Sequence, residues 1–425
     1  MTTIFDNVRL IDPASGLDRP GRLRVEGGRI VGIDESPSGA APEGVERIDG
    51  GGAVLCPGLV DLRASLGEPG HEYRETFKSA AKAAAAGGIT TLAVLPDSAP
   101  AVDDPAMARF IAARGGETGS VDVLPYGALT RSCAGEELAE IGLLHEAGCV
   151  ALTDGRRALA SPRLMRLALS YARAFGAIVV QHPEEPALAK GGAATEGELA
   201  TRMGLPGIPA AAEALMVARD IRLAKLTGGR LHFGHVSTGE AIGLIRAAKA
   251  EGLAVSCDTA PPYFDLNETA IGDFRTYAKL SPPLRPESDR RAVCEALADG
   301  TIDAIASDHM PRDADDKRLP FAQAASGGTG LVTLLGVTLA RVHDGTLSLI
   351  EAIGLVTARP AALFGLRAGR LAVGDAADLC LFDPERGWRV EAGELPGRAQ
   401  NTPFDGRALE GRVLGTWKDG ARVFG

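Results

Sequence analysis

The chain of 425 residues is long enough for about two or three domains, and its 45 Lys plus Arg against 55 Asp plus Glu give a formal charge of −10 at neutral pH. An acidic chain with no block of like charge carries no electrostatic footprint for nucleic acid or an anionic membrane surface, so neither partner is expected. With 45% hydrophobic and 24% charged residues the composition is that of an ordinary globular protein, and no apolar run approaches the roughly 18 residues that cross a bilayer.

Residues 1–13 show no basic segment leading into an apolar one, so no secretory signal is expected and the cytoplasm is the expected compartment. The six cysteines, Cys56, Cys133, Cys149, Cys257, Cys294 and Cys380, form no CxxC pair. That scatter predicts buried, reduced thiols rather than a disulfide framework. Residues 3–9 and 22–33 carry β-branched side chains among Gly, Asp and Pro, which reads as short strands and turns. From there alanine-rich amphipathic helices alternate with apolar runs of strand length. The helix 77–86 precedes a strand at 90–95, the helix 164–175 precedes 177–181, and the helix 290–298 precedes 304–307. Residues 377–382 and 411–424 return to short strands. Repeated β and α units of this size predict a parallel sheet closed into a (β/α)8 TIM barrel over residues 56–365. Residues 1–55 and 366–425 are predicted to form one composite β domain, a small sandwich built by both chain ends.

In such barrels the chemistry sits at the C-terminal ends of the strands. Four residues of metal-ligating type fall there: Asp154, His182, His235 and Asp308. Each alone is an ordinary polar residue at the start of a loop. Together they point to one shared site, because imidazole and carboxylate donors suit zinc, which lowers the pKa of bound water to about 7. His71, His145 and His343 lack ligand spacing and read as surface or satisfied histidines. Gly327-Gly328-Thr329-Gly330 follows no strand and lacks a lysine, which argues against a phosphate loop. Residues 190–208 are small and polar, as expected of a mobile loop over the barrel mouth.

Several motifs carry a resemblance. Pro57-Gly58-Leu59-Val60-Asp61, Glu68-Pro69-Gly70, His235-Val236-Ser237-Thr238, Pro282-Pro283-Leu284-Arg285, Ser307-Asp308-His309 and Asn401-Thr402-Pro403-Phe404-Asp405-Gly406 together resemble dihydroorotase of the amidohydrolase superfamily. The resemblance runs from Phe5 to near the C-terminus. It implies the reversible closure of carbamoyl-aspartate to dihydroorotate in pyrimidine synthesis, on one or two zinc ions at the mouth of a (β/α)8 barrel. It also implies Asp308 as the proton shuttle, His182 and His235 as metal ligands and Asp154 at the bridging carboxylate position.

The departures from the family pattern are as specific as the matches. The family's first strand ends in a His-x-His pair whose side chains, two residues apart, face the same way; here the positions are Arg63 and Ser65. A guanidinium keeps its proton and has no lone pair to donate. The positions that hold substrate in the family are also changed: its carboxylate-gripping Arg is Gly67, its strand-two Asn is Asp97, the Asn before Pro-Pro-Leu-Arg is Ser281, and a His after the Asp308-His309 pair is Arg312. Three readings follow. In the first, the chain is a noncatalytic homologue that serves as a structural partner of aspartate carbamoyltransferase, with no zinc. In the second, it is an active cyclic amidohydrolase using one zinc on Asp154, His182 and His235, with Arg312 replacing a lost anchor. A third possibility is a hydrolase for a less acidic substrate. An oligomer is expected. If the barrel is as read, Arg63 enters the space of the lost metal and faces Asp154 and Asp308, whose mutual repulsion a cation would relieve.

Overall fold

Residues 2–34 and 45–425 are described by the computed structural model. The N-terminal strand Thr2–Asp12 turns most of its apolar side chains inward. It pairs antiparallel with Leu17–Glu26 and parallel with both Glu46–Asp49 and Val54–Pro57. The run expected at 22–33 is two strands, Leu17–Glu26 and Arg29–Asp34. Gly27 and Gly28 turn the chain between them at φ +56° and +80°, a hairpin geometry that side chains resist. Val54–Pro57 in turn pairs with Leu379–Arg389, which pairs with Ala408–Lys418 and through it with Ala421–Phe424. Both chain ends therefore share one eight-stranded sheet. Phe5, Leu23, Ile30, Leu55, Leu379 and Trp417 are among the residues of its core, with Phe5 and Trp417 packed edge to face at 4.8 Å.

The barrel begins at Leu59–Ala64 and continues through Ile89–Val94 and Asp122–Pro125 in parallel register. A bridge through Leu152 joins the third strand to the fifth, Ile178–Gln181. From there the sheet runs through Arg230–Phe233 and Val255–Thr259 to Ala304–Ile305, and the Ala64–His309 bridge closes the ring. Counting the bridged segment at Leu152, eight strands form the (β/α)8 barrel.

Alternation sorts the side chains. Val60, Leu62, Ala93, Ala151, Val180 and Ala304 belong to an inner cluster, while Leu59, Leu92, Val179 and Leu231 belong to the larger cluster under the surrounding helices. The helix Ala358–Phe364 contributes Ala361 and Phe364 to the inner cluster. Alanine-rich helices such as Phe77–Ala86 lie close to the strands because small side chains allow it. Thr76 and Ser79 close that helix start with reciprocal capping bonds. The segment expected to be a loop at 190–208 instead carries the helix Glu198–Met203 and a two-stranded ribbon, Ala194–Thr195 with Gly207–Ile208. Ala193, Ala194 and Ala200 bury themselves beside Tyr263 and Leu280, a tertiary contact that local polarity does not reveal. The six cysteines are free, and five of them are buried. No helix among the described residues is long and apolar enough to cross a membrane.

Candidate functional site

The first barrel strand breaks its pairing register between Asp61 and Ala64. With Leu62 in the inner cluster and Ala64 in the outer one, Arg63 reaches across the barrel mouth. The residue is 2% exposed; Nε lies 3.5 Å from Asp308 Oδ1 and Nη2 donates to the Gly155 carbonyl at 3.4 Å. Below it, buried Asp61 accepts from the Ser307 amide at 2.9 Å and from the Ser307 hydroxyl, locking the first strand to the last. Burial raises the Asp61 carboxyl to about 6, against the lowering effect of those bonds.

His235 and Asp308 both hold left-handed backbone conformations, at φ +59° and +47°. For residues other than glycine such strain persists where the surroundings fix it. Here the clamps are visible. His235 Nδ1 is 2.8 Å from Asp258 Oδ1, its amide donates to the same oxygen at 2.7 Å, and Nε2 is 2.9 Å from Asp308 Oδ1. The second oxygen of Asp258 faces His232 Nε2 at 3.0 Å. Burial opposes charge on His235, but the carboxylates of Asp308 and Asp258 on its two sides raise it to about 9 even against neighbouring Arg63. Burial likewise opposes charge on Asp308, and His235, Arg63 and Arg156 outweigh it to hold the carboxyl below its ordinary value.

Asp154 is turned away from this centre. It accepts from the Thr130 amide at 2.8 Å and the Thr130 hydroxyl at 2.6 Å. Arg63 therefore meets Asp308 as expected, while on the Asp154 side it bonds to the backbone carbonyl of Gly155. His182 is buried with Nε2 3.4 Å from Ser281 Oγ. Burial first, then the positive charge of Arg63 and His235, hold it well below its ordinary value and so neutral. Among the described residues no group of three or more His, Cys, Asp or Glu is placed to hold a metal ion. Chemistry gives the reason: one candidate carboxylate is spent on Thr130, His235 has a carboxylate against each ring nitrogen, and a guanidinium stands in the centre. The residues do not fit zinc.

The other positions that the resemblance singled out hold contacts of their own. Ser65 donates to Asp97 at 2.8 Å. A Cβ at Gly67 would sit 2.1 Å from the His71 carbonyl oxygen and 2.6 Å from that of Glu75, so no side chain can stand there unless the loop moves. Gly67→Arg is accordingly expected to lower stability by about 1–3 kcal/mol, the usual cost of overpacking, without supplying an anion anchor; an unchanged melting temperature would contradict this. Arg312 does not open toward the cleft. Its Nε donates to the Ser326 carbonyl at 2.9 Å and its amide to Asn401 at 3.0 Å, which ties the rim together rather than replacing a lost anchor.

Arg156 and Glu213 take part without having been singled out in the sequence. Arg156, two residues past a recognised strand end, stretches back to Asp97 at 3.6 Å. Glu213 is fully buried and accepts from the amides of Ser237 and Thr238 and from both hydroxyls. Arg285 of the Pro-Pro-Leu-Arg motif lies 3.6 Å from it. This network anchors the turn that follows His235. A cleft of about 560 Å³ opens above the centre, with Asp97, Arg156, Arg157, His182, Glu184 and Ser281 in its lining.

Comparison with known proteins agrees with the architecture. The family model described as dihydro-orotase-like matches residues 52–241. The protein named dihydroorotase of Pelobacter propionicus is 42% identical, with 100% of both chains covered. The protein of that name from Syntrophotalea carbinolica is 43% identical over 99% of this chain and 98% of its own. Among solved structures, the L-hydantoinase (dihydropyrimidinase) from Arthrobacter aurescens superposes with a TM-score of 0.88 at 27% identity, covering 99% of this chain and 95% of its own. The dihydropyrimidinase from Brevibacillus agri NCHU1002 gives 0.83 at 24% identity over 100% and 95% of the two chains, a likeness of fold. Relatives of this identity over the full length leave one conclusion: the chain belongs to the dihydroorotase family of amidohydrolases.

Proposed function

We propose that this chain is a noncatalytic member of the dihydroorotase family, with its place in pyrimidine biosynthesis held through assembly with aspartate carbamoyltransferase rather than through turnover. One observation carries the reading: the Arg63 guanidinium lies buried 3.5 Å from Asp308, at the centre where the family activates water. A permanent cation with no lone pair takes the charge-balancing place of a metal and cannot do its chemistry. Gly67 supports the same reading, since any side chain there would meet the backbone of its own loop.

The second reading, an active cyclic amidohydrolase, is favoured by a different observation: relatives 42–43% identical over the whole length carry the name dihydroorotase. It requires a metal at the mouth and a rearrangement of Arg63. Zinc content together with dihydroorotate hydrolysis by the purified chain separates the two.

Assembly is supported by the rim of the mouth. Tyr73, Phe274 and Leu319 are 52%, 47% and 46% exposed, and their loops are tied together by Arg74 with Asp316 at 3.8 Å and Thr276 with the Lys317 carbonyl at 2.6 Å. Phe274 also holds φ +61°, a costly conformation for an exposed aromatic residue. Replacing all three by Ser is expected to reduce co-purification with the carbamoyltransferase of the same organism while the isolated chain keeps its fold. Undiminished association would remove this rim from the account.

A further inference from the structure

The mouth cleft holds four buried polar atoms with no hydrogen-bond partner among the described residues: Asp97 Oδ1, Arg156 Nε, His182 Nδ1 and Glu184 Oε1. His182 is 1% exposed. Native proteins leave few such atoms unsatisfied, and these four belong to side chains that line one cavity, where an occupant or a small turn of the side chains would supply partners. Their signs differ in an informative way. Arg156 and Arg157 on the wall disfavour a simple cation, whereas Asp97 and Glu184 disfavour a simple anion. The Arg156–Asp97 ion pair is loose, at 3.6 Å, and Ser281 Oγ lies 3.2 Å from Glu184 and 3.4 Å from His182. Ser132 and Cys133, also in the lining, both hold left-handed backbone conformations at φ +54° and +53°, a strain that collects at ligand clamps.

We infer that this cleft is a metal-independent receptor for a small α-amino-acid zwitterion, whose carboxylate is gripped by Arg156 and whose ammonium is gripped by Asp97 and Glu184. A ligand carrying both charges offers its carboxylate to the Arg156 guanidinium and its ammonium to the carboxylates of Asp97 and Glu184, each a charge-assisted bond. The inference rests on the noncatalytic reading of the same mouth.

Calorimetric titration of the full chain with three matched probes tests it: L-asparagine, succinamate, which lacks the ammonium, and 3-aminopropanamide, which lacks the carboxylate. L-Asparagine is expected to bind saturably and each truncated probe at least about tenfold more weakly, the cost of losing one charged contact. Arg156→Ala and Asp97→Asn are each expected to weaken L-asparagine by at least about the same factor, and Asp97→Asn to improve succinamate relative to L-asparagine. Equal or tighter binding of succinamate, indifference to Arg156→Ala in a variant that melts like the parent, or no saturable binding of any probe overturns the inference. Dihydroorotate hydrolysis is measured on the same preparation. Absence of binding without turnover overturns the receptor alone and leaves the noncatalytic reading standing, whereas turnover overturns that reading and the receptor with it.

Discussion

Arg63→Ala is expected to destabilise the protein by about 3–5 kcal/mol, the range for removing one partner of a buried ion pair. The side chain supplies a buried permanent positive charge at a centre where Asp308 and Asp258 share His235 between them. Without it Asp308 keeps only His235 close by, with Arg156 farther out across the mouth, and the gap over Gly234 and Gly155 is left unfilled. Combining Arg63→Ala with Asp308→Asn is expected to recover part of the loss, because the uncompensated carboxylate is removed too. Thermal denaturation of the two variants beside the parent checks both statements. A melting temperature unmoved by Arg63→Ala would mean that the guanidinium is solvated elsewhere, and a double variant less stable than the single would mean that Asp308 is held by other groups.

Glu213→Ala is expected to cost a similar amount, about 3–5 kcal/mol, for a reason remote from the central cation. Its carboxylate satisfies two amides and two hydroxyls at the Ser237-Thr238 turn. Truncation strands all four donors in the interior and leaves Arg285 without its buried counter-charge. Because that turn begins the helix Gly239–Ala250 with Thr238 as its N-terminal cap, the damage is expected to spread to His235 as well. Glu213→Gln, which keeps an acceptor, is expected to lose less. Equal loss in the two variants would assign the effect to charge alone, and no loss in either would contradict the network.

The barrel and the composite sheet were legible because both rest on periodicity. Apolar runs of four to six residues between alanine-rich helices read directly as β and α units, and Arg63 could be placed at the mouth from its position in the motif. Distances across the ring were not legible. Asp154 stands at a strand end like the other three candidates, yet it serves Thr130, because the turn at residues 130–133 is brought beside it by tertiary packing. Arg156 was passed over although it lies only two residues further on, since the direction of a side chain in a loop after a strand has no period to reveal it. Gly67 was read from the resemblance as standing where the family has an arginine, but its closure by the His71 and Glu75 carbonyls depends on a fold of the loop that the single residue does not announce. Glu213 sits inside the long helix Ala211–Thr227, where a glutamate reads as solvated surface. Its burial follows from the helix meeting the turn after the sixth strand.

The most direct measurement of the central claim is dihydroorotate hydrolysis by the full chain equilibrated with zinc, run beside the Pelobacter propionicus relative under the same conditions. A centre occupied by the Arg63–Asp308 ion pair, with Asp154 committed to Thr130, predicts no turnover above the level of the Asp308→Asn variant. Turnover comparable with the relative's would contradict the account, because it would require Arg63 to leave the mouth and a metal to take its place.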